Sequence, residues 1–190
     1  CGMTACSTEE EFAKLIQDFS ASVKDLIPDA KTKEVIAPDL GVGSRWIGTM
    51  AEQDDVGLLT HKFKQLQKEN YESTIAGGYG EVRSIYSTDA YRIESNNGPE
   101  YRTVHLGVDF WFRAGTELRS ILDGNVYSLV DHDRPKDYGV TLILEHRIDN
   151  FTFFTLYGHL GKSSLALFSQ GDQIKQGDTI GFLGDVHENG

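Results

Sequence analysis

GVTLILEHRIDNFTFFTLYGHL, residues 139–160, decides how the chain is read. Its first run, GVTLILEH (139–146), is almost continuously apolar, and its second, FTFFTLYGHL (151–160), is rich in aromatic and β-branched residues. Both compositions favour strands over helices. Asp149-Asn150 lies between them and supplies the polar, turn-forming chemistry that lets a chain reverse on itself. The pair therefore predicts two neighbouring antiparallel strands.

The same pattern extends outward. ELRSIL (117–122) and NVYSLVD (125–131) precede the pair, and DQIKQGDTIGFLGD (172–185) follows it as an expected hairpin. Asp123-Gly124, Gly171-Asp172 and Gly177-Asp178 punctuate these runs where turns are needed. The fold expected from this is mainly β, an antiparallel β-sheet domain. Neither a G-x-G-x-x-G fingerprint nor a phosphate-binding loop occurs, and strands do not alternate with long helices as in a nucleotide-binding sheet.

Upstream the period changes. Ser7-Thr8-Glu9-Glu10-Glu11 places hydroxyls three residues ahead of carboxylates, as a capping box does. Phe12, Leu15, Ile16, Phe19, Val23, Leu26 and Ile27 then recur at helical spacing until Pro28 ends the run. Residues 34–55 read as irregular, with Pro38, Gly41, Gly43 and Gly48. A second helix is expected to start at Asp54 or Asp55, to carry Leu58, Leu59, Phe63 and Leu66 inward, and to end near Tyr71. The organisation expected is an N-terminal helical extension over 1–74 and a β domain over 75–190.

Composition narrows the partners. The chain has 190 residues and a formal net charge of -11. No basic patch is present to neutralise phosphates, so nucleic acid is not an expected partner. No run of about 18 apolar residues is present to form a transmembrane segment. Cys1 and Cys6 are the only cysteines, and their spacing matches neither a redox nor a zinc pattern, so no disulfide framework is expected. Cys1 reads either as a lipid-bearing lipoprotein residue or as a fragment boundary.

Chemistry is concentrated in HLGVD (105–109). In a straight strand, residues four apart are separated by about 13 Å, whereas ligands of one zinc ion each lie about 2 Å from it. His105 and Asp109 can share an ion only if the chain bends between them, and Gly107 permits that bend. An imidazole and a carboxylate are a partial zinc set that still needs a third protein ligand. LYGHL (156–160) adds His159, which reads either as a core histidine or as a catalytic imidazole.

HLGVD, AGTELRSILDGNV, LEH, LYGHL and GDQIKQGDTIGFLGD, in that order, resemble the M23 family of zinc metallopeptidases, the lysostaphin- and LytM-like glycyl-glycine and peptidoglycan endopeptidases. GGYGEVRSIYSTDAY and RTVHLGVD are also similar to the variant of this module found in large fusion proteins with a class III aminotransferase. The resemblance implies a barrel-sandwich of antiparallel sheets, Zn2+ bound by His105 and Asp109, and His159 as a catalytic histidine. It also implies a peptide or peptidoglycan cross-bridge substrate, attacked by water that the metal activates.

The wall-hydrolase form would work at the cell envelope, and the fused form in the cytoplasm beside covalently attached enzyme domains. One motif is missing: the family's His-x-His, source of the third ligand and a second catalytic histidine, does not occur before HENG. The expectation is a domain truncated ahead of that motif, so that the zinc site is incomplete in this chain. The alternative is a non-catalytic interaction or scaffolding module of the same fold. His187 is the one candidate substitute near the C-terminal end. His146 reads as structural, and His132 and His61 as solvent-facing. The 172–185 stretch also resembles the hairpin of biotinyl and lipoyl carriers, but Lys175 is read inside a strand-like run rather than in the exposed turn such a carrier needs.

Overall fold

The computed structural model describes residues 8–53, 55–83, 86, 91–132 and 137–188. Cys1, Cys6, Ser7 of the expected capping box, Asp54 as a helix start and part of the GGYGEVRSIYSTDAY stretch lie outside these residues. The fold is mainly β and antiparallel, as expected, with helices gathered toward the N-terminus.

The expected first helix is two helices. α1 spans Thr8–Asp18 and α2 only Val23–Leu26. The apolar spacing runs through the gap, but Ser22 competes with it. The Asp25 carboxylate accepts from both the backbone N–H and the hydroxyl of Ser22, at 2.7 and 2.8 Å, which restarts the helix at Val23. Phe12 of α1 lies 5.3 and 5.4 Å from the rings of Phe151 and Phe153.

The chain packs into two compact units, one formed by Ala30–Phe112 and the other by the residues up to Asp29 together with those from Arg113 on. In Ala30–Phe112, β1 (Val35–Ile36), the one-turn helix α3 (Met50–Gln53) and α4 (Val56–Glu69) precede β2 (Thr74–Gly77), β3 (Glu81–Val82), β4 (Arg92–Ser95), β5 (Gly98–Tyr101), β6 (Val104–His105) and β7 (Asp109–Phe110). α4 starts where expected, because the Asp55 carboxylate accepts from the Leu58 N–H at 2.9 Å. Its Phe63 lies between Trp46, edge-on at 5.0 Å, and Trp111, stacked at 4.4 Å. β1 runs parallel to β2, an exception to the antiparallel rule, and β2 pairs antiparallel with β7.

The second unit holds β8 (Glu117–Arg119), β9 (Gly124–His132), β10 (Gly139–Ile148), β11 (Phe151–Leu160), β12 (Gln173–Ile174) and β13 (Thr179–Phe182). Its four-stranded sheet has the order β11-β10-β9-β12, and β13 pairs with β8. GVTLILEH and FTFFTLYGHL form the adjacent strands β10 and β11, reversing at Asp149, whose φ is 52°. β10 is buried along most of its length, and Leu118, Val126, Val140, Leu142, Leu144, Leu160, Ile174 and Ile180 make one core. Each such side chain contributes about 1.5–3 kcal/mol by leaving water.

Residues 172–185 do not form the expected hairpin. β12 pairs with β9 and β13 with β8, so the two strands separate after the turn. Asp123 helps set this geometry: its carboxylate accepts from the Gln176 N–H and pairs with Lys175 Nζ, both at 2.8 Å. Lys175 itself is the first residue beyond β12, ahead of the turn at Gln176-Gly177, and not inside a strand run as its sequence suggests.

Candidate metal-ligand pair and the neighbouring histidines

His105 and Asp109 sit on a ribbon that bends twice at one level. β3 pairs with β6, with Glu81 opposite His105, and β2 pairs with β7, with Gly77 opposite Asp109. Between these ladders, residues 78–80 on one side face residues 106–108 on the other, and both segments leave the strand conformation. Gly78 and Gly80 have φ of 94° and 71°, values that cost little only without a β-carbon. Gly107 is the bend between β6 and β7.

The bend brings His105 Nε2 to 3.4 Å from Asp109 Oδ1. A Cβ at Gly107 would stand 3.2 Å from that same nitrogen, so the glycine also leaves space for the ring. On the far side of the imidazole, Nδ1 lies 2.9 Å from the Gly78 carbonyl. A carbonyl only accepts, so Nδ1 carries the proton, and in the neutral ring Nε2 is a lone pair aimed toward a carboxylate oxygen. A proton on Nε2 would make this an imidazolium–carboxylate pair, and with the ring neutral the same two atoms can hold a cation between them. On a tetrahedral ion, ligands at about 2.0–2.1 Å stand about 3.3 Å apart, which is the separation of this pair.

The carboxylate has a second neighbour that sequence reading missed. Arg83 is buried, and its Nη2 lies 2.6 Å from Asp109 Oδ2, a charge contact rather than a straight hydrogen bond. Its Nε donates to Glu81 Oε2 at 2.8 Å. Burial alone would lower the guanidinium pKa, but Asp109 and Glu81 outweigh it and hold the group above its ordinary value. Gly78 makes room for this arrangement, since a Cβ there would overlap Nη2. The signal for Arg83 was present in GGYGEVR, where three glycines precede a Glu-x-Arg, but no periodicity distinguishes it from a surface pair.

His159 lies in the other unit, near the end of β11. There Val140 faces Leu160 and Leu142 faces Tyr157, so Gly158 and His159 together stand opposite Thr141 alone. This is a β-bulge, and it inverts the alternation: Phe153, Thr155 and Tyr157 face inward, yet His159 is exposed and Leu160 is fully buried. His159 has φ 58°, in the left-handed region, and its N–H donates to the Tyr138 carbonyl at 2.7 Å. A Cβ at Gly158 would come within 3.0 Å of the Tyr138 ring, so the glycine of LYGHL does allow a close approach.

Among the other histidines, His146 is fully buried. Its Nδ1–H donates to the Asp123 carbonyl at 2.8 Å, and its Nε2 accepts from the Thr155 hydroxyl at 2.7 Å. It is a satisfied core histidine. His61, His132 and His187 are exposed. Among the described residues, no group of three His, Cys, Asp or Glu side chains is arranged to hold a metal ion.

Residues 103–190 match the family model for peptidase family M23. A search of curated proteins and a search of solved structures found no match. The M23 segment is a little under half of the chain. It begins two residues ahead of His105 and takes in Asp109, His159 and every strand from β6 onward. The match supports a peptidase-like function. M23 peptidases are generally zinc-dependent.

Proposed function

We propose that the chain belongs to a zinc-dependent endopeptidase in which His105 and Asp109 are two of the metal's protein ligands and His159 is a catalytic imidazole. The observation that carries this reading is the 3.4 Å approach of His105 Nε2 to Asp109 Oδ1, with the other imidazole nitrogen already committed to the Gly78 carbonyl. The third ligand comes from outside the described residues. Bound zinc would supply Lewis-acid polarisation of a peptide carbonyl and a nucleophile at neutral pH.

The chain's own residues then divide the work. The Gly78 carbonyl occupies Nδ1–H of His105, which leaves the Nε2 lone pair of the neutral ring to face the ion. The bulge holds His159 outside the core, where an imidazole can take and return a proton. The substrate class proposed is a glycine-rich or peptidoglycan cross-bridge peptide, which rests on the resemblance of the sequence motifs to lysostaphin- and LytM-like endopeptidases.

The test uses full-length protein with zinc and an oligoglycine peptide or a peptidoglycan fragment. His105→Ala and Asp109→Ala should each abolish metal binding and cleavage together. His159→Ala should retain the metal and lower kcat by roughly 10²–10⁴-fold, the usual contribution of a positioned acid or base. Zinc binding and cleavage that survive His105→Ala would overturn the reading. Metal binding without hydrolysis of any such peptide would favour a non-catalytic module of the same fold.

A further inference from the structure

We propose that Arg83 is a positioning residue that restricts Asp109 to a single donating oxygen, and that Glu81 holds Arg83 to that task. The inference deepens the reading of His105 and Asp109 as a ligand pair and rests on it. Three observations converge on it.

The two oxygens of Asp109 are unequal. Oδ2 lies 2.6 Å from Arg83 Nη2, and Oδ1 is turned toward His105 Nε2 at 3.4 Å. An ion between His105 and Asp109 would therefore meet one oxygen, not two. Small ions held in tetrahedral sites accept that arrangement, whereas calcium draws on six to eight oxygens and often takes a carboxylate bidentately.

The guanidinium is also fixed from behind. Arg83 is buried with Glu81 on its Nε, and its backbone N–H donates to the Thr103 carbonyl at 2.8 Å. Such a charge keeps its place only while paired, because an isolated buried cation is strongly disfavoured. Glu81 in turn accepts from the Leu40 N–H at 2.6 Å, which anchors the outer end of the row.

The backbone has been opened to admit the group. Gly78 adopts φ 94°, and its missing Cβ is the space that Nη2 occupies, while the carbonyl of the same residue holds His105. One glycine thus sets the orientation of both candidate ligands, directly for the histidine and through Arg83 for the aspartate.

The experiment uses the full chain with Co2+ and, separately, Ca2+ as probes, following paramagnetic broadening and shift changes of the His105 and Asp109 resonances. Co2+ should bind in a manner that His105→Ala removes. Arg83→Gln should weaken Co2+ roughly 10- to 100-fold, the usual cost of losing an outer partner of a metal ligand, and should raise Ca2+ affinity relative to Co2+ because Oδ2 is released. Arg83→Lys should recover part of the Co2+ affinity, and Glu81→Gln should fall between it and Arg83→Gln. A merely structural loss would weaken both ions alike and leave their ratio unchanged.

Where Arg83→Gln fails to fold, Glu81→Gln carries the comparison. If Co2+ binding depends on His105 but the Co2+/Ca2+ ratio is the same in Arg83→Gln or Glu81→Gln as in the parent, the positioning role is wrong and the ligand pair stands. If Co2+ does not bind, or binds regardless of His105, the pair itself is wrong and the positioning role falls with it.

Discussion

At the scale of single residues, His159 is held in a conformation its side chain disfavours. A non-glycine residue at φ 58° carries a steric cost of about 1–2 kcal/mol, because its Cβ crowds the following carbonyl. The bulge opposite Thr141 and the bond from the His159 N–H to the Tyr138 carbonyl hold it there. His159→Gly relieves the crowding but adds chain entropy to the unfolded state, worth about 0.4–1 kcal/mol in the other direction. His159→Ala relieves nothing. Urea unfolding should therefore find His159→Gly more stable than His159→Ala by up to about 1 kcal/mol. A His159→Gly variant less stable than His159→Ala by about 0.4–1 kcal/mol would show that the bulge carries no strain at this position. The residue was legible as a candidate from LYGHL, but its exposure was not, since simple alternation would have turned it inward beside Tyr157.

At the scale of elements, β10 and β11 and their tie to the turn at Asp123 organise the second unit. His146 lies on β10, yet its ring bridges the Asp123 carbonyl ahead of β9 and the Thr155 hydroxyl on β11, and stacks on Phe153 at 5.2 Å. Removing it leaves a cavity and takes the partner from the Asp123 carbonyl and the Thr155 hydroxyl. His146→Ala should cost roughly 2–4 kcal/mol in urea unfolding, with Co2+ binding at His105 unaffected. A loss of metal binding without a loss of stability would contradict a structural role.

The strands of this unit were largely readable, because their aromatic and apolar runs are long and their turns carry Asp, Asn and Gly. The pairing of β12 and β13 was not. Two short runs joined by Gln176-Gly177 read as a hairpin, and only the competing partners β9 and β8 separate them. The break between α1 and α2 was hidden for a similar reason: the apolar period continues across it, while the Ser22–Asp25 contacts that restart the helix are local and outside that period.

At the scale of the whole molecule, both units contain a tyrosine whose ionisation opposes folding. Tyr86, among the described residues of Ala30–Phe112, is pushed up to about 12 chiefly by burial, and Tyr157 on β11 is raised by burial as well. An unfolded phenol ionises near 10. Above that pH the unfolded chain releases protons that the folded chain retains. The contribution of these groups is therefore complete below about pH 10 and is lost as pH rises through the folded values. Urea midpoints measured between about pH 9 and 11.5 should fall as the pH rises, and Tyr86→Phe should flatten that decline. An unchanged slope in Tyr86→Phe would show that the phenol is not desolvated. The net charge of -11 adds self-repulsion that also grows as phenols ionise.

By itself the sequence determined the strand content, the main turns and the identity of the two candidate ligands, because each is written in local pattern or in residue type. Their approach to 3.4 Å was decided only by tertiary structure, since two bends on opposite strands, at Gly78–Gly80 and Gly107, must coincide to produce it. Tertiary structure also decided the placing of Arg83 on Asp109 and the turning out of His159. A buried ion pair depends on which strands become neighbours, and a bulge depends on a register between two strands. Neither quantity exists within a single stretch of chain.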